Sequence, residues 1–563
     1  MIDWEAGIDY PEWMKPAGLS ILSKGYLIAD ETPLHMYKRV AVSTAKALDK
    51  PELADKFFDY MWKGWLCPAS PVLTNMGTKR GMPISCYGLS VPDSIDGIYQ
   101  SCHELAVLTK GGGGVGMCMS NIRGRGVPIR NNGSSEGVVP WAKVYDSAII
   151  ATSQGQIRRG AASVNLDVDH IDIEEFLRIR RPSGDVNRQC LNLHQCVLVS
   201  DKFMTEMLAG DKLKRKLWIE IMKTRLETGE PYIMFKDTVN RDNPEAYKQN
   251  NLSVEMTNIC TEITLHTDAE HSFICCLASL NLAKWNEWKD TDIVQTTVLF
   301  LNGVLNEFIK RGSDVNGYER AIRSAVKGRA IGIGVLGWHS LLQSEMTPMD
   351  SLRARLLNRG IFSRIKQNAE EASKALAVEF GEPEWCKGTG MYNSHLIAVA
   401  PTRSNATIAG VKSPSIEAWI ANAFSDKTAK GVFTIKNEHL EELLEKRGKN
   451  THEIWMSIVA NQGSVQHLEF LTENEMEVFK TAYEIDQKVF VELAGDRQEY
   501  IDQAQSLNLF FSSNVDPRYF HDCHVEAWKA GVKTLYYCRS SSSIKADMAS
   551  RSHEDDECKS CEG

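Results

Sequence analysis

The segment Asn258-Ile259-Cys260-Thr261-Glu262 sets an amide, a thiol and a carboxylate at alternate positions. In an extended loop, that spacing turns all three side chains to one side. An amide can hold a substrate hydroxyl, a carboxylate can accept its proton, and a thiol can act between them. Taken alone, the triplet more often reads as a buried cysteine between two surface polar residues, since cysteine usually behaves as a small hydrophobe.

A second candidate is the C-terminal pair in Cys558-Lys559-Ser560-Cys561. A zinc ribbon needs another such pair, or two histidines at suitable spacing, and the sequence offers neither. A thioredoxin-like dithiol sits after a strand at a helix start, which this tail does not supply. Two readings remain evenly balanced: a chance pair, or a dithiol on a mobile tail that passes reducing equivalents by thiol–disulfide exchange. Cys86, in Ser85-Cys86-Tyr87-Gly88, and Cys275, in Cys275-Cys276-Leu277-Ala278-Ser279, are weaker signals. Cys67, Cys102, Cys118, Cys190, Cys196, Cys386, Cys523 and Cys538 read as structural thiols. Tyr536 and Tyr537 are neighbours on an expected strand, so their phenols should point to opposite faces, one into the core and one outward in the simpler reading.

These residues need a large body to position them, and the sequence can build one. It has 563 residues, 43% of them hydrophobic, and no internal repeat. Apolar residues at helical spacing run from Leu34 to Leu66, with Pro51 separating two helices. From Pro68 to Arg130 the chain is rich in Gly and Ser, the texture of strand ends and ligand-binding loops. Helical patterns follow at about 138–152, 172–181, 202–227, 291–311, 364–379 and 475–494. Short apolar runs punctuate them at Cys196–Val199, Leu396–Ala400 and Val532–Tyr537. This alternation predicts a parallel α/β sheet buried on both faces. Beyond about Arg539 the chain turns Ser-rich and then charged, the composition of a mobile tail.

A net charge of -9 argues against a general nucleic-acid binder. The N-terminus lacks a basic region followed by an apolar stretch, so it does not read as a secretory signal. The most apolar helix candidate, Ile293 to Ile309, contains Gln295, Asn302, Asn306 and Glu307 and does not read as a membrane span. The chain therefore reads as soluble and cytoplasmic, with its 14 cysteines reduced, metal-bound or redox-active rather than structural disulfides.

Cys86, the Asn258-Cys260-Glu262 triplet, Cys275, Tyr536-Tyr537 and the terminal pair occur in an order that resembles the large subunit of class I ribonucleotide reductase, from about Pro68 to Gly563. The resemblance implies a ten-stranded α/β barrel of two five-stranded parallel halves running antiparallel, with a central loop carrying Cys260. It implies three regions: a helical N-terminal region over 1–67, a barrel over 68–540, and a redox tail over 541–563. It also implies roles. Cys260 becomes a thiyl radical and takes the 3′ hydrogen of the ribose, Glu262 takes the 3′ hydroxyl proton, and Asn258 holds the hydroxyls. Cys86 and Cys275 supply two electrons, and Cys558 and Cys561 reduce the resulting disulfide before thioredoxin or glutaredoxin restores them. Tyr536 and Tyr537 relay a radical from a separate metal-containing small subunit, so this chain needs no metal or cofactor of its own.

Ala400 to Thr407 resembles the family's diphosphate-binding turn, with Thr402, Arg403, Ser404 and Asn405 as contacts, Arg403 being an addition. Ser70, Ser85 and Gly114 match other substrate positions. Lys110 followed by Gly111–Gly114 lacks Walker spacing and reads as backbone lying close to base and ribose. Asp93, Arg123 and Arg158, the last in the loop Ser153–Gly160, match the site that binds dNTP or ATP effectors. The first redox cysteine falls at 86, which leaves no room for the N-terminal ATP cone. The resemblance further implies ribonucleoside diphosphate substrates and a homodimer. A cobalamin-dependent relative shares the barrel and cysteines but has no need of the tyrosines. A nucleotide-sensing scaffold has no need to keep the full set, and a generic dithiol oxidoreductase leaves the nucleotide loops unexplained.

Overall fold

Thr32 opens the first long helix: its hydroxyl accepts from the His35 N–H, and Pro33 takes the first helical position of Pro33–Ala47. Met36, Tyr37, Val40, Ala41, Thr44 and Ala45 form the buried stripe that this periodicity dictates. Pro51 then starts a short 3-10 turn before the helix Ala54–Trp62. The two helices pack on each other and on the helix Ile293–Gly312. The computed structural model describes residues 9–154, 158–428 and 431–540.

Five strands follow: β1 (Cys86–Ser90), β2 (Gly114–Cys118), β3 (Ala162–Asp167), β4 (Leu193–Val199) and β5 (Tyr232–Phe235). Each is parallel to the next. The second half begins with β6 (Phe273–Asn281), antiparallel to β1, and β7 (Ile331–Leu336), parallel to β6. Extended segments around 397 and 505 continue it, through the parallel bridges Ile333–Ile397 and Val399–Gln505. β8 (Thr534–Leu535) closes the ring. It lies antiparallel to β5, while the Thr534 hydroxyl donates to the Gln505 carbonyl at 2.9 Å and Tyr536 N–H to Leu507 O at 2.9 Å. The result is the expected barrel of ten extended segments, five in each half, with the halves antiparallel at two seams. β1, β2, β6 and β7 are buried along their whole length, the signature of strands covered on both faces.

Some helical patterns divide. The one at 202–227 breaks into Asp201–Ala209 and Lys212–Thr228, because Gly210 takes a left-handed conformation and the Asp211 carboxylate caps the next helix. The one at 475–494 likewise resolves into Glu473–Val478 and Gln487–Gln498. Among the described residues no helix is long and apolar enough to cross a membrane. None of the 12 described cysteines is in a disulfide.

Residues 252–272 carry no helix or strand and are fastened to both halves of the barrel. A Cβ at Gly116 of β2 would lie 2.3 Å from the Thr257 carbonyl oxygen, so glycine is what lets the loop pass so close. Asn165 of β3 donates to that carbonyl at 3.2 Å and accepts from Thr257 N–H at 3.3 Å. From the other half, Ala504 N–H donates to Glu262 O at 2.9 Å.

Candidate active site

The triplet converges by a turn rather than by strand alternation. Asn258 N–H donates to Ile263 O at 3.3 Å, the Asn258 side chain accepts from Ile263 N–H at 3.0 Å, and Thr261 sits at φ 70°. Asn258, Cys260 and Glu262 are fully buried. The Asn258 amide donates to Cys86 Sγ at 3.2 Å, and the Cys86 thiol donates to Glu262 Oε1 at 3.6 Å. Ser506 Oγ lies 2.6 Å from the Cys260 carbonyl oxygen and 3.2 Å from Glu262 Oε2. Burial pushes the Glu262 carboxyl up to about 7, against the pull of hydrogen bonds from Asn258, Ser506 and Cys86. A carboxylate so placed is a base matched to neutral pH.

Cys86 and Cys275 stand directly opposite each other across the antiparallel seam of β1 and β6. Opposed residues in such a ladder have Cα atoms roughly 4.5–5.5 Å apart, inside the range of roughly 4.4–6.8 Å that a disulfide spans. Burial pushes the Cys275 thiol well above its ordinary value, which keeps it protonated; the Gln503 amide lies 3.8 Å from its sulfur.

The Tyr536 hydroxyl donates to Cys260 Sγ at 3.3 Å. Both tyrosines are buried and their ring centroids are 4.4 Å apart, which overturns the expectation of opposite faces. The regular ladder ends at Leu535, after which Tyr536 N–H pairs with Leu507 O and Tyr537 N–H with the Asn508 side chain. Tyr232, at the start of β5, packs 4.7 Å from Tyr536 and 5.0 Å from Tyr537. His194 Nδ1 lies 3.1 Å from the Tyr232 hydroxyl, 3.4 Å from that of Tyr537 and 2.6 Å from Glu230 Oε1. Burial works to raise the Glu230 carboxyl, but Arg180 and His194 outweigh it and hold it below the ordinary value.

The segment after Ala400 turns into the short helix Arg403–Ile408. Asn405 donates to Pro68 O at 2.9 Å, which joins this turn to the helix Ser70–Asn75. The Thr402 hydroxyl is occupied, accepting from Ser415 N–H at 2.7 Å, and Arg403 is exposed. Ser404 is half-buried, and the Ser70 hydroxyl lies 2.6 Å from that of Tyr26. Ser85 Oγ, Asn405 Oδ1 and Ser415 Oγ are buried without a protein hydrogen-bond partner among the described residues. Gly114 N–H donates to Ser85 O at 2.9 Å, at the point where the Gly-rich run becomes β2.

The family model of the ribonucleotide reductase barrel domain matches residues 84–214, 212–387 and 383–538, and that of the ribonucleotide reductase all-alpha domain matches 13–81. The chain belongs to the ribonucleotide reductase large-subunit family. It is an oxidoreductase, and the likeness reaches further toward the N-terminus than the motifs from Pro68 onward revealed. It is 40% identical to the putative ribonucleoside-diphosphate reductase large subunit of Frog virus 3, over 91% of this chain and 93% of that one. It is 36% identical to the ribonucleoside-diphosphate reductase large subunit of Invertebrate iridescent virus 3, over 97% and 98%. Among solved structures it resembles the Actinobacillus ureae class Id ribonucleotide reductase alpha subunit, with a TM-score of 0.88 at 38% identity, covering 95% of this chain and 99% of that one.

Elsewhere in the reductase, Arg123 donates to the Asp93 carboxylate at 2.7 Å in a partly exposed ion pair. Arg158 falls in a short hairpin, Ser153–Gln154 with Arg158–Arg159, and its side chain lies outside what is described. Cys558 and Cys561 also lie outside the described residues. Tyr232, His194, Glu230, Gln503, Ser415 and Ser506 were not among the sequence-predicted site residues. Only Tyr232 had a local signal, an aromatic residue opening an apolar run after Pro231.

Proposed function

We propose that the chain is the catalytic subunit of a ribonucleoside-diphosphate reductase that works by a thiyl radical and takes its oxidising equivalent from a separate metal-containing small subunit. The observation that carries this reading is the position of Cys260: its sulfur receives the Tyr536 hydroxyl, while the Asn258 and Glu262 side chains on either side of it both reach Cys86. Oxidation passes from Tyr537 to Tyr536. The Tyr536 phenoxyl takes a hydrogen atom from the Cys260 thiol, and the thiyl takes the 3′ hydrogen of the bound ribose. Glu262 accepts the 3′ hydroxyl proton, and Asn258 orients the hydroxyls. The 2′ hydroxyl leaves as water with a proton from the Cys86–Cys275 pair. That pair gives up two electrons, and its second hydrogen goes to C2′, as its sulfur–sulfur bond forms. Glu262 then returns its proton to the 3′ oxygen and Cys260 returns the 3′ hydrogen.

The substrate diphosphate lies at the turn of Thr402, Arg403, Ser404 and Asn405, with Ser70, Ser85 and Gly114 against base and ribose. Buried, unpartnered Ser85 Oγ and Asn405 Oδ1 favour that placement, since buried polar atoms are normally paired. The tail thiols Cys558 and Cys561 reopen the disulfide and are restored by thioredoxin or glutaredoxin in a reducing cytoplasm. A dNTP or ATP effector binds near Asp93, Arg123 and Arg158. It binds at a homodimer contact made by the helices Ile95–Lys110 and Val138–Ala151, which expose Ile95, Tyr99 and Ile150.

The test is formation of deoxycytidine diphosphate from CDP with dithiothreitol, an effector nucleotide and the small subunit from the same genome. Product that disappears in Cys260→Ser and in Tyr537→Phe supports both the thiyl chemistry and the external radical. No product with a radical-bearing partner overturns the proposal.

A further inference from the structure

Where the Cys260 loop meets β6, the turn His266-Thr267-Asp268-Ala269-Glu270-His271 gathers two imidazoles and a carboxylate whose ligand atoms lie within 4.8 Å of one another. His266 Nδ1 is 2.7 Å from the Ser253 carbonyl oxygen, which can only accept, so Nδ1 carries the proton. In the neutral ring, Nε2 then presents a lone pair, and it faces Asp268 Oδ2 at 3.1 Å. Two lone pairs at that separation are reconciled by a positive charge between them, either a proton on Nε2 or a metal ion.

The other carboxylate oxygen is also crowded. Asp268 Oδ1 accepts from Glu270 N–H at 2.7 Å and His271 N–H at 2.8 Å, with His271 Nδ1 at 3.0 Å. His271 Nε2 is buried without a protein partner among the described residues. In the neutral ring, a proton on Nδ1 leaves Nε2 with a buried, unpaired lone pair; a proton on Nε2 leaves Nδ1 facing the carboxylate as His266 does. Both imidazoles thus offer a lone pair that no protein donor uses.

We propose that His266, Asp268 and His271 form a binding site for one divalent transition-metal ion. The 3.1 Å between His266 Nε2 and Asp268 Oδ2 matches the edge expected of two ligands about 2.0–2.2 Å from a common ion. His271 meets the other carboxylate oxygen, at 3.0 Å, and joins the same ion by a turn of its ring toward Oδ2. A ring N–H given to a backbone carbonyl is how metal-binding histidines are oriented. Two nitrogens and a carboxylate oxygen suit Zn²⁺ and its neighbours rather than Mg²⁺ or Ca²⁺. Trp385 packs against both imidazoles, at 5.9 and 5.3 Å, while Asp268 keeps one side open to water for the remaining coordination position.

The site fits a structural role. Ser253 lies on the chain entering the loop and the three ligands on the chain leaving it, so an ion here ties together the two stems that flank Asn258 to Glu262. The competing occupant is a proton, giving a His266 imidazolium paired with Asp268.

The experiment uses the full chain carrying Cys558→Ser and Cys561→Ser, so that tail thiols do not capture the probe, treated with chelator and titrated with Co²⁺. The expected result is one equivalent bound with ligand-field bands, no sulfur-to-cobalt charge transfer, and a rise in Tm. Asp268→Asn and His271→Ala should each weaken binding by at least roughly 10–100-fold, the range that even outer-shell changes at such sites cost. They should also lose the Tm response while keeping the parent's far-ultraviolet dichroism. Unchanged affinity in both variants overturns the proposal, as does a parent that takes up no Co²⁺ while His266 titrates as a simple ion pair.

Discussion

The barrel's two halves meet at two antiparallel seams, and the seams carry different side chains. At one, β1 meets β6 and sets Cys86 opposite Cys275. At the other, β5 meets β8, with Tyr232 at the start of β5 and Tyr536 and Tyr537 just beyond β8. Antiparallel pairs put opposed side chains closest together, which suits both two sulfurs that must bond and rings that must stack. On the proposed mechanism the first seam would supply an electron pair and the second would move single electrons. Cys260 stands between them, with the Tyr536 hydroxyl on its sulfur and Cys86 within reach of its neighbours Asn258 and Glu262. The tyrosine pair and the cysteine pair are thereby kept apart, with a single loop as the link, which is what a one-electron oxidant and a two-electron reductant would need.

The sharpest way to break this division is to disable one seam at a time. Tyr536→Phe keeps the ring and removes the hydroxyl that meets Cys260. We expect it to reduce both substrate loss and product formation to background. Cys275→Ala acts after hydrogen abstraction, so it should consume substrate without yielding deoxynucleotide. Chromatography of all nucleotides after reaction separates the two outcomes. If both variants leave the substrate intact, the seams are not separate steps.

Glu262→Gln tests the link itself, with a smaller effect. Removing a positioned base costs roughly 10²–10⁴-fold in turnover. In the parent, turnover should rise as pH passes about 7, where the carboxyl ionises, and the variant should lose that limb. Stability runs the other way. A folded value raised above the ordinary 4.5 favours the fold at low pH and is lost as pH climbs through about 7. The variant should therefore be more stable than the parent above that pH, by on the order of a few kcal/mol. Equal Tm values for the two proteins in alkaline buffer would show that burial does not control this carboxyl.

How much of this was legible beforehand depends on whether a residue's partner is local. The thiols, Glu262, Asn258 and the tyrosine pair stood out by type and order, while apolar runs announced only three of the ten barrel segments, those at 193–199, around 397 and at 534–535. Cross-strand register is not written in any one segment, so the direct opposition of Cys86 and Cys275 could not be read. Nor could the packing of Tyr232 on Tyr536, or the reach of Ser506 to Glu262. Alternation at 258–262 suggested an extended loop, whereas the close pairing of Asn258 with Ile263 imposes a turn that brings the side chains together by another route. Metal ligands were sought as cysteine pairs, and the His266-Asp268-His271 turn acquires meaning only when Ser253 fixes the tautomer of His266.

The smallest expected effect on the fold belongs to neither seam. Asp93 and Arg123 form an ion pair about one-third exposed, and such pairs contribute under about 1 kcal/mol. Asp93→Asn should leave Tm nearly unchanged and should not alter the Tyr536–Cys260 or Cys86–Cys275 arrangements, which lie on other elements. If the pair serves an effector nucleotide, the same substitution should change which ribonucleoside diphosphate is preferred when the effector is varied, with turnover in the absence of effector close to the parent's. Competition among four substrates under each effector measures this directly. An unaltered preference would reduce Asp93 to a surface salt bridge and leave the regulatory site to be sought elsewhere, while a changed preference at constant Tm would separate regulation from both catalytic seams.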